Sequence, residues 1–372
     1  MMCSSAGETG PELDPSTRIQ EHLARWELRS FSTETAYYEW QRQVIAPAPL
    51  QRLADLAQRR QGDDGAKWDV AFYDLAATPD ILPVVYSQRF EYFEQVGLAF
   101  VQQLHLLSST ASVLDVGCGV GILTTWYASM FPDVQFRGVD RSPQSIVAAE
   151  RHAAIQNLSN VEFSCCTFPS DIVSGQYDVI IATQALFQSE VDPGLPSQSW
   201  KTFERAQDAT TQLTVEKRTG LGSRLESLLP SLSPSGTLLL FEKTSHLGRR
   251  VLFQRGLMRH GFSLVQPPKY LHYANLGEVE REGPLYIVSR EHPSGTDWDE
   301  SPHTTALQGL YRCAGDSASF VYSRLEAIDH DEFWTQYIQG QSITGAIIRN
   351  IGGITLGCVK EGSLIRGIIV GG

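Results

Sequence analysis

Apolar residues recur at helical spacing through the first hundred positions of this 372-residue chain, and strand-like patterns begin only near residue 112. In the earlier part, apolar side chains stand three or four positions apart, as in Phe93, Val96 and Phe100. This spacing puts them on one face of an amphipathic helix. We therefore expect a flexible tail over residues 1–15, followed by a helical cap over residues 16–110 that covers a substrate as a lid.

Short apolar runs then alternate with helical patterns between residues 111 and 290. Helices are expected at about 120–130, 143–157, 222–229 and 248–260. The alternation is typical of a doubly wound α/β fold, in which helices cover both faces of a mostly parallel sheet. The runs expected as strands are Ser112–Val116, Gln135–Val139, Val161–Cys165, Tyr177–Thr183, Gly236–Glu242, Phe262–Gln266 and Leu285–Ser289.

Two segments exceed this pattern. Residues 189–220, rich in Ser, Thr, Pro and Gln, are predicted to be an inserted loop. Residues 291–372 open with a polar linker and end in three β-rich pieces, which predicts a small α+β accessory module. Within it, the acidic run from Asp329 to Glu332 is typical of an exposed helix start, because acids favour the first helical turn.

The most informative motif is the glycine-rich turn after the first predicted strand. It reads Asp115-Val-Gly-Cys-Gly-Val-Gly121, and a predicted helix follows at once. Backbone N–H groups at such a strand–turn–helix junction approach a ligand closely, and glycines keep side chains out of the way. A dinucleotide fingerprint needs its third glycine at position 122, where this chain has isoleucine.

Two carboxylates narrow the choice of ligand. Asp115, before the turn, suits a ligand with an ammonium group, and Asp140 ends the second predicted strand, where an acid binds ribose hydroxyls. One ligand with both an amino-acid ammonium group and an adenosine ribose is S-adenosylmethionine. On these residues the chain resembles the class I S-adenosylmethionine-dependent methyltransferases over roughly residues 85–290, with Gly138-Val-Asp140-Arg-Ser-Pro143 as the second matching motif.

The resemblance implies a seven-stranded Rossmann-like sheet, whose last two strands form an antiparallel pair, and a set of cofactor-binding residues. Asp115, Gly117, Gly119 and Gly121 would border the methionine end of S-adenosylmethionine. Asp140 would hold the ribose, and Arg141 would lie beside the adenine. The segment after the third strand departs from the family pattern, so adenine recognition stays open between Thr167, Phe168 and Asp171.

Methyl transfer would take place beside Gln184 and the residues after it, which follow the fourth predicted strand. The segment lacks the Asn/Asp-Pro-Pro-aromatic turn of enzymes that methylate planar amides or base amines. It also lacks a cysteine nucleophile for cytosine methylation. Glu242 and His246 are the candidate general bases for a protonated hydroxyl or amine acceptor, and no metal site is expected.

Composition sets the remaining expectations. No apolar run is long enough to span a membrane, and six cysteines without metal-ligand spacing are typical of a reducing cytoplasm. The net charge of −12 disfavours a nucleic-acid acceptor. The prediction is a cytoplasmic enzyme that methylates O or N of a small molecule or short peptide. The alternatives are a protein or RNA methyltransferase that uses residues 291–372 for recognition, and a non-catalytic scaffold; those residues are also a candidate homodimer interface.

Overall fold

The computed structural model describes residues 14–60, 65–105, 111–171, 174–187, 209–244, 247–276, 278–280, 282–291, 295–296, 298, 332–336, 345–351, 354–361 and 364–369. These residues fall into two compact units. The first lies within Met1–Thr183 and Leu271–Arg281, and the second within Gln184–Tyr270 and Glu282–Gly372.

Among the described residues of the first unit before residue 112, every regular element is a helix. Helix starts follow local rules: Thr33 Oγ1 accepts a hydrogen bond from Ala36 N at 3.3 Å, and Pro47 is the first residue of the next helix. The helices are α1 (Pro15–Arg25), α2 (Glu34–Val44), α3 (Pro47–Arg60), α4 (Gly65–Ala76), α5 (Leu82–Ser87) and α6 (Phe90–Leu104).

A parallel sheet follows, with four strands in the order β3-β2-β1-β4. The strands are β1 (Ser112–Val116), β2 (Gln135–Asp140), β3 (Val161–Cys165) and β4 (Tyr177–Thr183), and α7 (Ile122–Met130) and α8 (Pro143–Ile155) connect the first three. The predicted strands and helices of this region are confirmed. Strand order reverses direction at β1, so the carboxyl ends of β1 and its neighbours form the crevice where ligands bind in such sheets.

Helix α1 packs on the sheet helices through two histidines. His22 is 1% exposed and its Nε2 lies 2.7 Å from the Ile122 carbonyl oxygen, while the Trp26 ring stacks on His152 with centroids 3.6 Å apart. Burial lowers the pKa of His22 to about 4 and that of His152 to about 4. Both rings are therefore neutral when the protein is folded near pH 7.

This burial predicts an acid-dependent loss of stability. The unfolded chain binds a proton at His22 below about pH 6.5, whereas the folded protein resists protonation until about pH 4. The contribution of the neutral His22 ring to the unfolding free energy is complete above pH 6.5, and it falls by up to ~3 kcal/mol as the pH drops to about 4. Urea unfolding of wild type and His22→Gln is measured at several pH values. The other effects of the substitution change the unfolding free energy by the same amount at every pH, so the pH-dependent difference between the two proteins reports the titration of His22. A difference between the two proteins that stays constant from pH 7 to pH 4.5 contradicts the assignment.

A hairpin from far along the chain also belongs to the first unit. Strands β8 (Tyr273–Asn275) and β9 (Glu278–Glu280) pair with each other, and Ala274 N donates to Glu91 Oε2 at 2.8 Å. The Tyr273 and Tyr92 rings meet edge to face at 5.5 Å. The chain thus returns from the second unit to contact α6.

The second unit contains an antiparallel arrangement around β10 (Pro284–Ser289). This strand pairs with β5 (Leu232–Phe241) on one side and with β6 (Ser263–Leu264) on the other, which confirms the predicted antiparallel pair of the last two strands. A short strand that was not predicted, β7 (Lys269–Tyr270), also pairs with β10.

The prediction of a loop throughout residues 189–220 is wrong for its last part, because Ala209–Thr219 forms helix α9. Residues 188–208 lie outside the described residues. The helix is held by buried polar side chains: Gln212 Nε2 donates to the Leu252 carbonyl oxygen at 3.0 Å, and Glu216 accepts from Arg259 Nε at 3.1 Å. Its partners are α10 (Leu221–Leu228) and α11 (Leu247–Arg259), which match the predicted helices.

The described part of residues 291–372 forms a four-stranded antiparallel sheet in chain order. The strands are β11 (Glu332–Gln336), β12 (Gly345–Ile351), β13 (Ile354–Glu361) and β14 (Leu364–Ile369). The last three are the predicted β-rich pieces. The helix start expected at the acidic run is wrong at Glu332, which begins β11 because its backbone pairs with Asn350; residues 329–331 lie outside the described residues. None of the helices described is both long and apolar enough to cross a membrane.

Candidate functional site

The glycine turn folds back onto the end of β2. Gly117 N and Cys118 N both donate to the Val139 carbonyl oxygen, at 2.8 and 3.1 Å. Gly117, Gly119 and Gly121 have φ angles of 74°, 55° and 84°, which lie in the left-handed region that favours glycine. The turn therefore needs glycine for its backbone conformation at all three positions.

Two of these glycines differ in what surrounds them. A Cβ added at Gly121 would lie 2.8 Å from the Cβ of Ala149 and 3.1 Å from the Phe163 ring, so Gly121 lets α8 and β3 pack closely. A Cβ added at Gly119 would meet nothing within 4 Å. Gly119 therefore presents open space on its outer side, as close approach of a ligand to the backbone requires.

Asp115 is a buried carboxylate next to this turn. It lies on β1 and is 4% exposed, and Thr124 Oγ1 donates to its Oδ2 at 2.5 Å. Burial raises the pKa of Asp115 to about 7, and the hydrogen bond from Thr124 opposes part of that rise. A buried carboxyl group with a pKa of about 7 is only partly ionised at neutral pH, and a nearby cation would stabilise its anionic form.

Asp140 ties the turn to the start of α8. Its Oδ2 accepts from Gly119 N at 3.0 Å, and its Oδ1 accepts from Ser142 N at 2.8 Å. Burial raises the pKa of Asp140, while these two backbone bonds lower it. The predicted ribose-binding carboxylate and the predicted glycine turn are thus brought together by direct contact.

Arg141 and the adenine candidates lie at the neighbouring strand ends. Arg141 Nη2 is 2.5 Å from Asp69 Oδ2 of α4. Thr167 N donates to Asp171 Oδ2 at 2.6 Å, so two of the three adenine candidates are joined, and Phe168 is half-buried between them in the chain. These contacts leave the choice among Thr167, Phe168 and Asp171 open.

The second unit holds the segment that follows β4. Gln184 has a left-handed φ of 56°, its backbone N–H donates to the Phe241 carbonyl oxygen at 2.8 Å, and its side-chain amide donates to Glu282. Lys243 Nζ lies 3.7 Å from the same Glu282 carboxylate. A non-glycine residue in this backbone region is uncommon, and such strain is concentrated at functional sites.

Glu242, one of the two candidate bases, organises that segment. It is 0% exposed, and its Oε1 accepts from Ala185 N and Leu186 N at 3.0 and 2.8 Å. Its Oε2 accepts from Phe187 N at 3.3 Å. Burial raises the pKa of Glu242 to about 8 against the pull of these bonds and of Arg224. The other candidate base, His246, lies outside the described residues.

Sequence reasoning missed the contributions of the N-terminal helices to this site. Asp69 and Asp74 contact the residues directly after Asp140, although about seventy positions separate them in the chain. Thr124 is bonded to Asp115 from the first turn of α7. No spacing motif relates these positions in the sequence.

A doubly wound sheet with a Gly-rich turn after β1, a buried acid before it and an acid at the end of β2 defines the class of the domain. Residues 107–217 match the family model described as a methyltransferase domain. Over residues 107–217 the chain therefore carries a methyltransferase domain, and its glycine turn and two acids resemble those of the class I S-adenosylmethionine-dependent enzymes.

Several curated proteins are similar to parts of the chain. A release factor glutamine methyltransferase of Aliivibrio fischeri is 25% identical over 145 residues, covering 38% of this chain and 50% of that protein. A malonyl-[acyl-carrier protein] O-methyltransferase of Acetivibrio thermocellus is 36% identical over 80 residues, 22% of this chain and 27% of that protein. A ribosomal RNA small subunit methyltransferase C of Salmonella arizonae is 34% identical over 94 residues, 24% of this chain and 27% of that protein. The chain thus spans half or less of the length of each of these relatives.

Proposed function

We propose that this protein is an enzyme that transfers the methyl group of S-adenosylmethionine to an oxygen or nitrogen atom of a small molecule or short peptide. The observation that carries the proposal is the junction at Gly119, where an open backbone face, a bond to Asp140 and the nearby buried Asp115 come together. A phosphate-binding turn would not need a buried carboxylate beside it, whereas a ligand with an ammonium group would.

Each residue of the junction has a separate task in this proposal. Asp115 would pair with the ammonium group of the cofactor's methionine part, and Asp140 would accept hydrogen bonds from ribose hydroxyls. The cofactor supplies a methyl group already activated on a sulfonium centre. The protein's main contribution is then to hold the acceptor in line with that methyl group, since orientation by itself can supply a large part of the rate.

The segment after β4 is proposed to border the acceptor. Gln184 and the three following residues are held in one conformation by Glu242 and by the Phe241 carbonyl oxygen. Fixed backbone geometry favours a defined acceptor position. Glu242 and His246 are the proposed general bases. The hydrogen bonds of Glu242 also hold residues 185–187 in position.

The proposed acceptor class is argued from the charge of the chain and from the N-terminal helices. The relatives' names include a release factor, a malonyl-[acyl-carrier protein] and a ribosomal RNA. A net charge of −12 disfavours a nucleic-acid acceptor, and the aromatic N-terminal helices favour a small one enclosed by a lid. We further propose a cytoplasmic location, and a role of residues 291–372 in dimerisation or in presenting the substrate.

Calorimetric titration with S-adenosylmethionine and S-adenosylhomocysteine tests the cofactor part of the proposal. Absence of binding at high micromolar concentration would overturn it. Mass spectrometry then screens small hydroxyl and amine compounds, peptides, protein and RNA for a gain of one methyl group. Methylation of RNA or protein alone supports the alternative reading, and binding without any transfer supports a scaffold.

Replacement of Asp140 by alanine should weaken cofactor binding by about 1–3 kcal/mol, because a half-buried acceptor for ribose hydroxyls and for Gly119 N is lost. The dissociation constant of S-adenosylhomocysteine, measured by calorimetry, is the readout. Asp133→Ala is the matched control, since Asp133 is an exposed acid just before the same strand. Equal affinity of the Asp140 variant and wild type would refute the ribose assignment.

A further inference from the structure

Helix α4 touches the start of α8 through two acidic side chains. Asp74 Oδ1 accepts from Ser142 Oγ at 2.7 Å and from Gln144 N at 3.1 Å, and Asp69 Oδ2 binds Arg141 Nη2 at 2.5 Å. Ser142 is itself the N-cap of α8 and accepts from Ser145 N. Asp69 therefore binds Arg141, the residue after Asp140, and Asp74 binds Ser142 and Gln144 at the start of α8.

Asp69 is shared between two arginines. Its other carboxylate oxygen, Oδ1, accepts from Arg60 Nε, and the side chains of Arg60, Asp69 and Arg141 are 18%, 19% and 31% exposed. Partial burial limits screening by water and salt, so the carboxylate interacts with both guanidinium groups more strongly than at a fully exposed site.

The Arg60 side chain is itself held in place. Its guanidinium lies 4.4 Å from the centre of the Phe72 ring and 4.7 Å from that of Tyr73, and its Nη2 donates to the Tyr73 hydroxyl at 3.0 Å. Arg60 therefore anchors Asp69 from the side of the N-terminal helices. The position of Asp69 in turn determines where the Arg141 guanidinium can lie.

Arg141 is the residue through which this network reaches the cofactor site. It follows Asp140 directly, and Asp140 is bonded to Gly119 N and Ser142 N. We infer that Asp69 is a positioning residue for cofactor binding: it orients Arg141 at the adenosine end of the site, so that affinity depends on a contact made by α4. The inference rests on the proposed function, because it presumes that the ligand of this site contains adenosine.

A double-mutant cycle separates this role from a purely structural one. Asp69→Asn, Arg141→Gln and the double variant are titrated with S-adenosylhomocysteine in the full-length protein. We expect Asp69→Asn to weaken binding about threefold to thirtyfold in the wild-type background, the range usual for residues that share a network. In the Arg141→Gln background the same substitution should have almost no further effect. Equal, independent losses in both backgrounds would overturn the inference.

Two further variants control for folding and for charge. Asp69→Glu keeps the carboxylate and should recover part of the affinity, whereas Asp55→Asn, at an exposed acid of α3, should leave affinity unchanged. Thermal unfolding of each variant shows whether the protein is folded at the titration temperature. If wild type itself fails to bind S-adenosylhomocysteine, the proposed function fails. If wild type binds and Asp69→Asn binds equally well, only the inference about Asp69 fails.

Discussion

Replacement of Glu242 by alanine is expected to lower the unfolding free energy by about 3–5 kcal/mol, among the largest effects of any single substitution in the second unit. The carboxyl group is fully buried, and its two oxygens accept from three successive backbone N–H groups, those of residues 185–187. Each buried donor left without its acceptor costs about 1–3 kcal/mol. Denaturant unfolding of the variant at pH 7 gives this value directly. A cost below about 1 kcal/mol would contradict the contacts described.

The Glu242→Gln variant separates the organising role from general-base catalysis. Glutamine keeps one oxygen that can accept hydrogen bonds, so part of the stability should be retained. Its amide cannot take up a proton from the substrate that receives the methyl group. If Glu242 acts as the base, methyl transfer falls steeply in a variant that is still folded and still binds cofactor. If its role is to hold the segment after β4, the losses of activity and stability in the glutamine and alanine variants should run in parallel. Glu226→Ala is the matched control, because that carboxylate is 68% exposed and should alter stability by less than about 0.5 kcal/mol.

Alanine at Gly119 and alanine at Gly121 are expected to fail in different ways. Both substitutions force a side chain into the left-handed region, which costs about 1–2 kcal/mol. At Gly121 the new methyl group would also lie 2.8 Å from Ala149 Cβ, so overpacking adds about 1–3 kcal/mol. At Gly119 it would point into open space. Gly119→Ala should therefore fold almost normally and yet lose at least about tenfold in affinity for cofactor, or ~1.4 kcal/mol.

The two variants serve as controls for each other. Thermal unfolding and S-adenosylhomocysteine titration of both should give a larger loss of stability for Gly121→Ala and a larger ratio of affinity loss to stability loss for Gly119→Ala. Unchanged affinity of the Gly119 variant would mean that the ligand does not approach this part of the backbone. In that event the open face of the turn has another explanation, and the cofactor assignment loses its main support.

Most of the sheet and the cofactor motif were predictable because both depend on local rules. Strands β1 to β4 are short apolar runs bounded by turn residues, and the glycine positions follow from a backbone that only glycine adopts easily. The errors lie where partners distant in the chain decide the structure. The end of residues 189–220 is helical because α9 has buried polar partners on α11, and Glu332 begins a strand because it pairs with Asn350.

The amino-acid sequence by itself determined the methyltransferase class of the domain and predicted its cofactor. Asp115, the glycine turn and Asp140 lie within 26 consecutive positions, 115 to 140, and their spacing reflects one strand–turn–helix–strand unit. Only the tertiary structure decided which groups from distant parts of the chain contact each other within each unit. Asp69 reaches Arg141 across 72 positions, and the amides of residues 185–187 reach Glu242 across 55 to 57. Such contacts depend on how helices and loops pack, and packing complementarity between distant segments leaves no periodic signal in the chain.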